Sequence, residues 1–269
     1  MTMIDEVSNI EQYIPFIEKL ARDPHFSDPH FSYDPNNLYR AVKKRNQKIY
    51  VSSKDGIVNG IFVWLTIPEE QYVELIVGLS RVTEAWTAMI DYIEANNAGA
   101  QIDFVFNPGN TVLADILKSK NAVFEKAQKK LRLVRDVDDG SLCRAIELNA
   151  EYEGQYKDLH EKDTYWIAEK VLEASDRFRV IAAVVNGALV GYLDITTCHD
   201  ENEPYALYTK EGYEEYRKDL LAKAIQLNKP RGMMVQVDAD DAPEIALFEE
   251  MGFETIAGSE SIYATYTNN

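Results

Sequence analysis

The sequence predicts an α/β protein that consists of two copies of one unit in tandem, each a mixed sheet flanked by helices. Helical and strand periodicities alternate along the 269 residues, and the same order of elements occurs twice at a constant offset. A polar stretch at residues 134–140 ends in glycine and separates the two copies. We therefore expect domains at residues 1–135 and 136–269, each of ordinary size.

The first half begins with an amphipathic helix, because apolar residues recur at helical spacing across residues 8–22. Asp55-Gly56 lies between two apolar runs, which indicates a β-hairpin. The other elements that we expect in this half are a helix at 38–45, strands at 48–53, 57–67, 72–79 and 102–106, and helices at 82–95 and 111–117.

A short repeat follows the first helix, since Asp-Pro-His-Phe-Ser occurs at residues 23–27 and again at 28–32. Asp-Pro pairs favour turns over continued helix. His25 and His30 would be the ligands of a metal site in this segment, but no cysteine and no regular element accompanies them. We interpret the repeat as a surface loop and expect no metal.

The second half repeats the first at an offset of 131 residues, as the hairpin glycines Gly56 and Gly187 show (187 − 56 = 131). The same offset places residues 102–106 on 233–237, and Asn110 on Asp241. The elements that we expect here are helices at 151–161 and 165–174, a hairpin at 178–197, a strand at 205–209, a helix at 214–228, a strand at 233–238, a helix at 242–251, and terminal strands from Phe253.

Composition narrows the classes of partner. The net charge of −17 argues against nucleic acid, because phosphate binding requires clustered lysine and arginine. An acidic surface serves solubility, and it also suits a cationic small molecule. The start of the sequence lacks the pattern of a secretory signal and no window is apolar enough for a membrane span, so we expect a cytoplasmic protein with no membrane partner. Its two cysteines are expected to be reduced thiols.

Residues 235–253 carry the most specific motif, a strand, an aspartate, an apolar helix and then Met-Gly-Phe. This stretch resembles the end of a GCN5-related N-acetyltransferase (GNAT) domain, and the element order of both halves agrees with that family. The resemblance implies a mixed sheet that opens between its fourth and fifth strands, where the pantetheine arm of acetyl-CoA inserts. It also implies that Leu207, Tyr208 and Thr209 offer their backbone to that arm.

The loop after the fourth strand departs from the family. GNAT domains carry Arg/Gln-x-x-Gly-x-Gly/Ala there, whose amides hold the pyrophosphate. This chain has Lys210-Glu-Gly-Tyr-Glu-Glu, about two residues short against the usual spacing, with Gly212 as its one glycine and Glu214 and Glu215 facing the expected phosphates. Lys210, with Arg217 and Lys218 of the following helix, are the candidate phosphate contacts.

Two further cofactor positions differ from the family pattern. Phe248 replaces the tyrosine that protonates the departing thiolate, and Asp241 replaces the usual asparagine. A structural interpretation also fits, in which Asp241 caps the next helix, aided by Pro243, and Phe248 lies in the core. The first half departs further from the family pattern, because its loop at residues 80–84 has no glycine. Asn110 occupies the position of the family asparagine, but it equally fits a turn followed by a helix cap.

Glu203, which precedes the fourth strand of the second half, is the candidate base for deprotonating an amine through water. These positions predict an acetyl-CoA-dependent N-acetyltransferase that acts on a small amine, with the second half catalytic. The alternative is a catalytically inactive GNAT-fold module that binds a cationic small molecule or a partner protein. An exposed sheet edge would support a homodimer, although the sequence does not locate one.

Overall fold

The structure is a computed structural model that describes residues 2–21, 23, 37–134 and 144–268. The chain divides into two compact units. Unit 1 comprises Met1–Lys129, Asp238–Asp240 and Ala257–Asn269, and unit 2 comprises Lys130–Val237 and Asp241–Ile256. The boundary at residue 135 stays a prediction, because residues 135–143 lie outside the described part of the chain.

Unit 1 is built on a seven-stranded sheet in the order β1-β2-β3-β4-β5-β15-β6. Its strands are β1 (Thr2–Val7), β2 (Gln47–Lys54), β3 (Ile57–Ile67), β4 (Tyr72–Leu79), β5 (Gln101–Phe106), β6 (Val123–Phe124) and β15 (Ile262–Thr267). Its helices are α1 (Ile14–Ala21), α2 (Asn37–Ala41), α3 (Thr83–Asn96) and α4 (Thr111–Ser119), with 3-10 turns at Glu11–Tyr13 and Pro68–Glu70. The β2–β3 turn places Asp55 and Gly56 at positive φ, which the predicted Asp-Gly hairpin requires.

Apolar clusters cover the two faces of this sheet. On one face α3 buries Trp86, whose indole meets Phe62 edge to face at 4.8 Å between ring centroids. Gly78 of β4 lies directly under that indole, and a side chain there would collide with it. On the other face α1 buries Ile17 against Val63 and Val77. The amphipathic helices predicted from spacing therefore pack as expected.

Unit 2 contains two four-stranded sheets, in the orders β12-β10-β9-β8 and β11-β13-β7-β14. Its strands are β7 (Gln128–Leu133), β8 (Ala145–Glu147), β9 (Phe178–Val185), β10 (Ala188–Thr196), β11 (Glu201–Asn202), β12 (Pro204–Thr209), β13 (Gly232–Asp238) and β14 (Phe253–Thr255). Its helices are α5 (Glu153–Leu159), α6 (Ala168–Glu173), α7 (Tyr216–Asn228) and α8 (Ala242–Glu250). Mixed sheets flanked by helices in both units confirm the predicted fold class.

The two halves of the sequence exchange strands. β15, from the end of the chain, pairs antiparallel with β5 over six residue pairs and also pairs with β6, all in unit 1. Residues 131–133 of β7 pair with β14 in unit 2. The seven-stranded sheet and the β11-β13-β7-β14 sheet each therefore contain a strand from the other half of the sequence, an arrangement that local periodicity does not encode.

None of the helices in the described part of the chain combines the length and the apolar character that a membrane crossing needs.

Candidate cofactor and active site

The fourth and fifth strands of unit 2 separate soon after they begin. β11 pairs in parallel with the start of β13 through Glu201 and Asn202. After Glu203 the chain continues as β12, which pairs with β10 and forms the edge of its own sheet. A buried amide network fixes this divergence, since Asn202 donates to Asn228 (2.7 Å) and Asn228 donates to the carbonyls of Arg231 and Gly232 (2.9 Å each).

The edge strand β12 presents backbone groups to the opening. Lys210 donates its N–H to Val190 O (2.8 Å), and Tyr208 lies opposite Tyr192 in the same antiparallel register. Because hydrogen-bonded and non-bonded pairs alternate along an antiparallel ladder, Leu207 and Thr209 direct their N–H and C=O groups away from β10. Among the described strands, β12 pairs only with β10. The edge can therefore accept the amide groups of an extended ligand.

Glu203 lies where β11 and β12 meet. Its N–H donates to Thr196 Oγ1 (2.7 Å) and its carbonyl accepts from Thr196 N–H (3.0 Å), so its backbone is held against β10. Burial raises the pKa of its half-buried carboxyl, although the charge of Lys130 opposes that rise. A carboxylate with a raised pKa is a better base than a free glutamate.

The connection from β12 to α7 consists of residues 210–215. Gly212 has a φ of 84°, a conformation that glycine adopts without strain. The carboxylate of Glu214 accepts a hydrogen bond from Gly212 N–H (3.0 Å). Hydrogen bonds from its own backbone N–H and from Gly212 lower the pKa of Glu214. An anion that belongs to the chain therefore already occupies this turn.

The three basic side chains predicted to reach phosphates have partners within unit 2. Lys210 Nζ donates to Leu189 O (2.8 Å). Arg217 forms an ion pair with Glu244 (2.5 Å), and Lys218 forms one with Glu250 (2.6 Å). A phosphate contact from any of them requires that the internal bond be exchanged.

Asp241 and Phe248 have structural partners. Asp241 is the N-cap of α8, and its carboxylate accepts from Glu244 N–H (3.0 Å), which confirms the predicted cap. Phe248 is 1% exposed and meets Phe253 edge to face at 5.1 Å, which confirms its predicted core position. Their cofactor contacts stay predictions.

The equivalent loop of unit 1 has only three residues between β4 and α3, at 80–82. Ser80 is 1% exposed; its hydroxyl donates to Asn59 O (2.6 Å) and accepts from Val82 N–H (3.0 Å). Trp86 Nε1 donates to Ser80 O (3.0 Å), which ties the loop to the core. Asn110 caps α4 through Leu113 N–H (3.2 Å), as predicted. The first loop is thus closed by its own side chains.

Comparison with known proteins identifies the fold. No protein-family model and no curated protein sequence matches the chain. Among solved structures, a tandem GNAT protein from the clavulanic acid biosynthesis pathway matches with a TM-score of 0.53 at 11% identity, over 100% of this chain and 99% of that chain. The chain has a tandem GNAT fold.

Two further solved structures agree with the tandem GNAT fold. A GCN5-related N-acetyltransferase from Sphaerobacter thermophilus has a TM-score of 0.63 at 9% identity, over 100% of this chain and 96% of that chain. A GCN5-related glucosamine N-acetyltransferase region in a fungal multi-domain β-N-acetylglucosaminidase has a TM-score of 0.58 at 11% identity, over 99% of this chain and 38% of that chain. At such identities the likeness shows the fold.

One polar network in the second GNAT unit was not predicted. Asp194 on β10 is fully buried and accepts from Tyr156 (2.9 Å), and its second oxygen lies 2.8 Å from His160 Nε2. His160 Nδ1 lies 2.7 Å from the carbonyl of Glu161 and is therefore a donor. A lone aspartate in an otherwise apolar strand was the signal for such a partner.

Proton sharing explains the pKa directions in this pair. Burial lowers the pKa of His160, but its bonds to Asp194 and the Glu161 carbonyl outweigh that effect and the net pKa is raised. Burial raises the pKa of Asp194, against the opposing effects of His160 and Tyr156. Both shifts mean that the pair keeps one shared proton to higher pH than free histidine does.

A metal site is not supported in the described ranges, which hold no cluster of three or more potential side-chain ligands. His25 and His30 lie outside the described residues.

Proposed function

We propose that unit 2 transfers an acetyl group from acetyl-CoA to the nitrogen of a small amine. The observation that supports this proposal is the edge of β12 that is unpaired among the described strands, with Glu203 directly before that strand. A ligand with successive amide groups matches the outward backbone of Leu207 and Thr209, which is the chemistry of a pantetheine arm. The edge of β12 therefore fits the pantetheine arm of acetyl-CoA. The turn at Gly212 does not fit the diphosphate of acetyl-CoA while the Glu214 carboxylate accepts the Gly212 N–H.

The residues of this chain would share the work as follows. Outward N–H groups of β12 would orient the donor and stabilise negative charge that develops on a carbonyl oxygen. Glu203 would accept the amine proton, directly or through one water, because its carboxyl has a raised pKa and the residue lies between β11 and β12. Bound acetyl-CoA would supply an acetyl group activated as a thioester. Phe248 has no proton to donate, so no acid is assigned to that position.

A small cationic amine is the proposed acceptor. The net charge of −17 attracts cations at long range, and one structural neighbour is a glucosamine N-acetyltransferase region. Use of acetyl-CoA would place the reaction in the cytoplasm. A homodimer through a sheet edge remains a proposal without a specific contact.

The test is a transfer assay with the full chain, acetyl-CoA and a panel of primary amines that includes glucosamine, followed by thiol release and by mass of the product. Transfer that depends on Glu203 supports the proposal. Substituting Lys210, Arg217 and Lys218 together should weaken cofactor binding about ten-fold, if these cations exchange their internal partners for phosphates.

Thermal stabilisation by acetyl-CoA provides a second test of the proposed function. A ligand at 100 times its Kd stabilises a protein by about 2.7 kcal/mol, so saturating acetyl-CoA should raise the melting temperature. No stabilisation and no acetylated product would contradict the proposal and favour the inactive binding module.

A further inference from the structure

We propose that Glu214 is an affinity-determining residue of the second GNAT unit, whose carboxylate occupies the phosphate turn and weakens the binding of the diphosphate of acetyl-CoA. This inference rests on the proposed function, because it concerns the same cofactor site. It goes beyond that function by assigning a role to an acidic residue at a position where an anion is expected to bind.

The contact is specific rather than a general effect of charge. Glu214 Oε1 accepts from Gly212 N–H at 3.0 Å, inside a turn that Tyr213 N–H closes by donating to Lys210 O (3.0 Å). Both amides that bond to the carboxylate lower the pKa of Glu214. The carboxylate is therefore ionised at neutral pH and accepts hydrogen bonds from backbone N–H groups that a phosphate oxygen would otherwise use.

The surrounding cations do not offset this occupancy. Lys210 is bonded to a carbonyl, and Arg217 and Lys218 are each paired with a carboxylate of α8. An incoming diphosphate would have to displace Glu214 and then recruit cations that already have partners. Both steps weaken binding, and neither affects the amide groups along β12.

The chain provides a matched control at the next position. Glu215 carries the same charge, is also exposed, and stands at the N-cap of α7 without a side-chain cap bond. Glu214→Ala removes both the charge and the occupying carboxylate, whereas Glu215→Ala removes only a neighbouring charge. The difference between the two variants isolates occupancy of the turn.

The experiment measures Kd by titration calorimetry for wild type, Glu214→Ala and Glu215→Ala. The probes are CoA, inorganic pyrophosphate, and pantetheine, which lacks phosphate. Glu214→Ala should tighten CoA and pyrophosphate about ten-fold, since one charge-assisted hydrogen bond no longer competes. Glu215→Ala should change either Kd less than about three-fold, as exposed charges are screened. Pantetheine should bind all three proteins alike.

Equal changes in both variants, no change, or weaker CoA binding by Glu214→Ala would each overturn the inference. Failure of the proposed function has a different signature. Tighter pyrophosphate binding by Glu214→Ala without any acetyl transfer would uphold the inference and remove the function. Acetyl transfer with unchanged CoA and pyrophosphate affinity in Glu214→Ala would do the reverse.

Discussion

The loops that follow the fourth strand of each GNAT unit are closed by different means. In unit 1 the buried Ser80 hydroxyl accepts a hydrogen bond from Val82 N–H. The indole N–H of Trp86, a core residue, donates to the Ser80 carbonyl. In unit 2 the longer loop is exposed, and Glu214 covers the Gly212 amide from the surface. A buried closure is part of the fold, whereas a surface carboxylate can be displaced. Only the second loop is therefore suited to bind an anion.

A second difference lies in the central hairpins. At the same offset of 131, Val63 of β3 corresponds to Asp194 of β10 (194 − 63 = 131), and both are fully buried. Val63 packs in an apolar cluster, but Asp194 anchors the network with Tyr156 and His160. The two hairpins therefore share the order of their strands, whereas this buried position has different chemistry in each.

The largest expected effect concerns the strand exchange on which both units depend. A chain that ends at Ile256 lacks β15, whose Ala264 is buried between β5 and β6. We expect unit 1 to lose its folded core, because the sheet cannot close without that strand. Emission from Trp64 and Trp86, both buried in unit 1, should shift to the red.

A chain that lacks only Asn269 serves as the control and should keep the native emission. If the chain ending at Ile256 also keeps the native emission, the role of β15 in the sheet of unit 1 is contradicted.

The second-largest expected effect is on catalysis, which we assign to unit 2 and not to unit 1. Glu203→Gln should lower kcat by about 100-fold or more, the usual contribution of a general base. In wild type, activity should fall as pH falls through a pKa above that of an ordinary glutamate, because the base must be ionised. Since burial raises that pKa, ionised Glu203 costs stability at neutral pH, so the variant should melt no lower than wild type.

Glu74→Gln is the matched control in unit 1. Burial also raises the pKa of Glu74, but this residue belongs to the unit with the closed loop. Its substitution should leave kcat unchanged. A similar loss of kcat in both variants would move the proposed chemistry out of unit 2.

A smaller effect tests the buried network. Asp194→Asn should destabilise unit 2 by about 3 kcal/mol, because it removes one charge from a buried pair. The raised pKa of His160 gives a definite sign: its stabilisation is complete below the unfolded pKa of about 6.5 and is lost as pH rises through the folded pKa. Urea unfolding at pH 6 and pH 9 measures the destabilisation by Asp194→Asn and the pH dependence of stability.

Wild type should lose stability between these two pH values, and His160→Gln should flatten the dependence. A His160→Gln variant with the same pH dependence as wild type would show that another group titrates.

The smallest effect is expected in the closed loop of unit 1. Arg81 forms an ion pair with Asp23, and the N–H of the neighbouring Val82 donates to the Ser80 hydroxyl. Arg81→Ala should therefore change the Kd of CoA less than about two-fold, as exposed pairs contribute little. A ten-fold loss in a CoA titration would instead place the cofactor in unit 1.

Much of the fold followed from the sequence. The predicted strand at 72–79 matches β4 residue for residue, and the hairpin glycines at 56 and 187 adopt the expected positive φ. The sheet partners of β7 and β15 could not be predicted, because pairing between distant segments leaves no local periodicity. The strand β1 was also missed.

The contacts within the candidate site could not be predicted from the sequence. Glu214 was expected beside the phosphates from its place in the loop, yet its bond to Gly212 depends on turn geometry that composition does not specify. Asp194 and His160 are 34 residues apart in sequence, so only the folded chain brings them together.

The most direct test is amide hydrogen exchange with and without saturating acetyl-CoA. Leu207 and Thr209 of β12 should gain protection, because their outward N–H groups would bond to the donor arm. Residues 76–79 of β4, which run beyond the last pair with β5, should not change. Protection of the β4 segment, or no protection of β12, would contradict a cofactor site on the second unit.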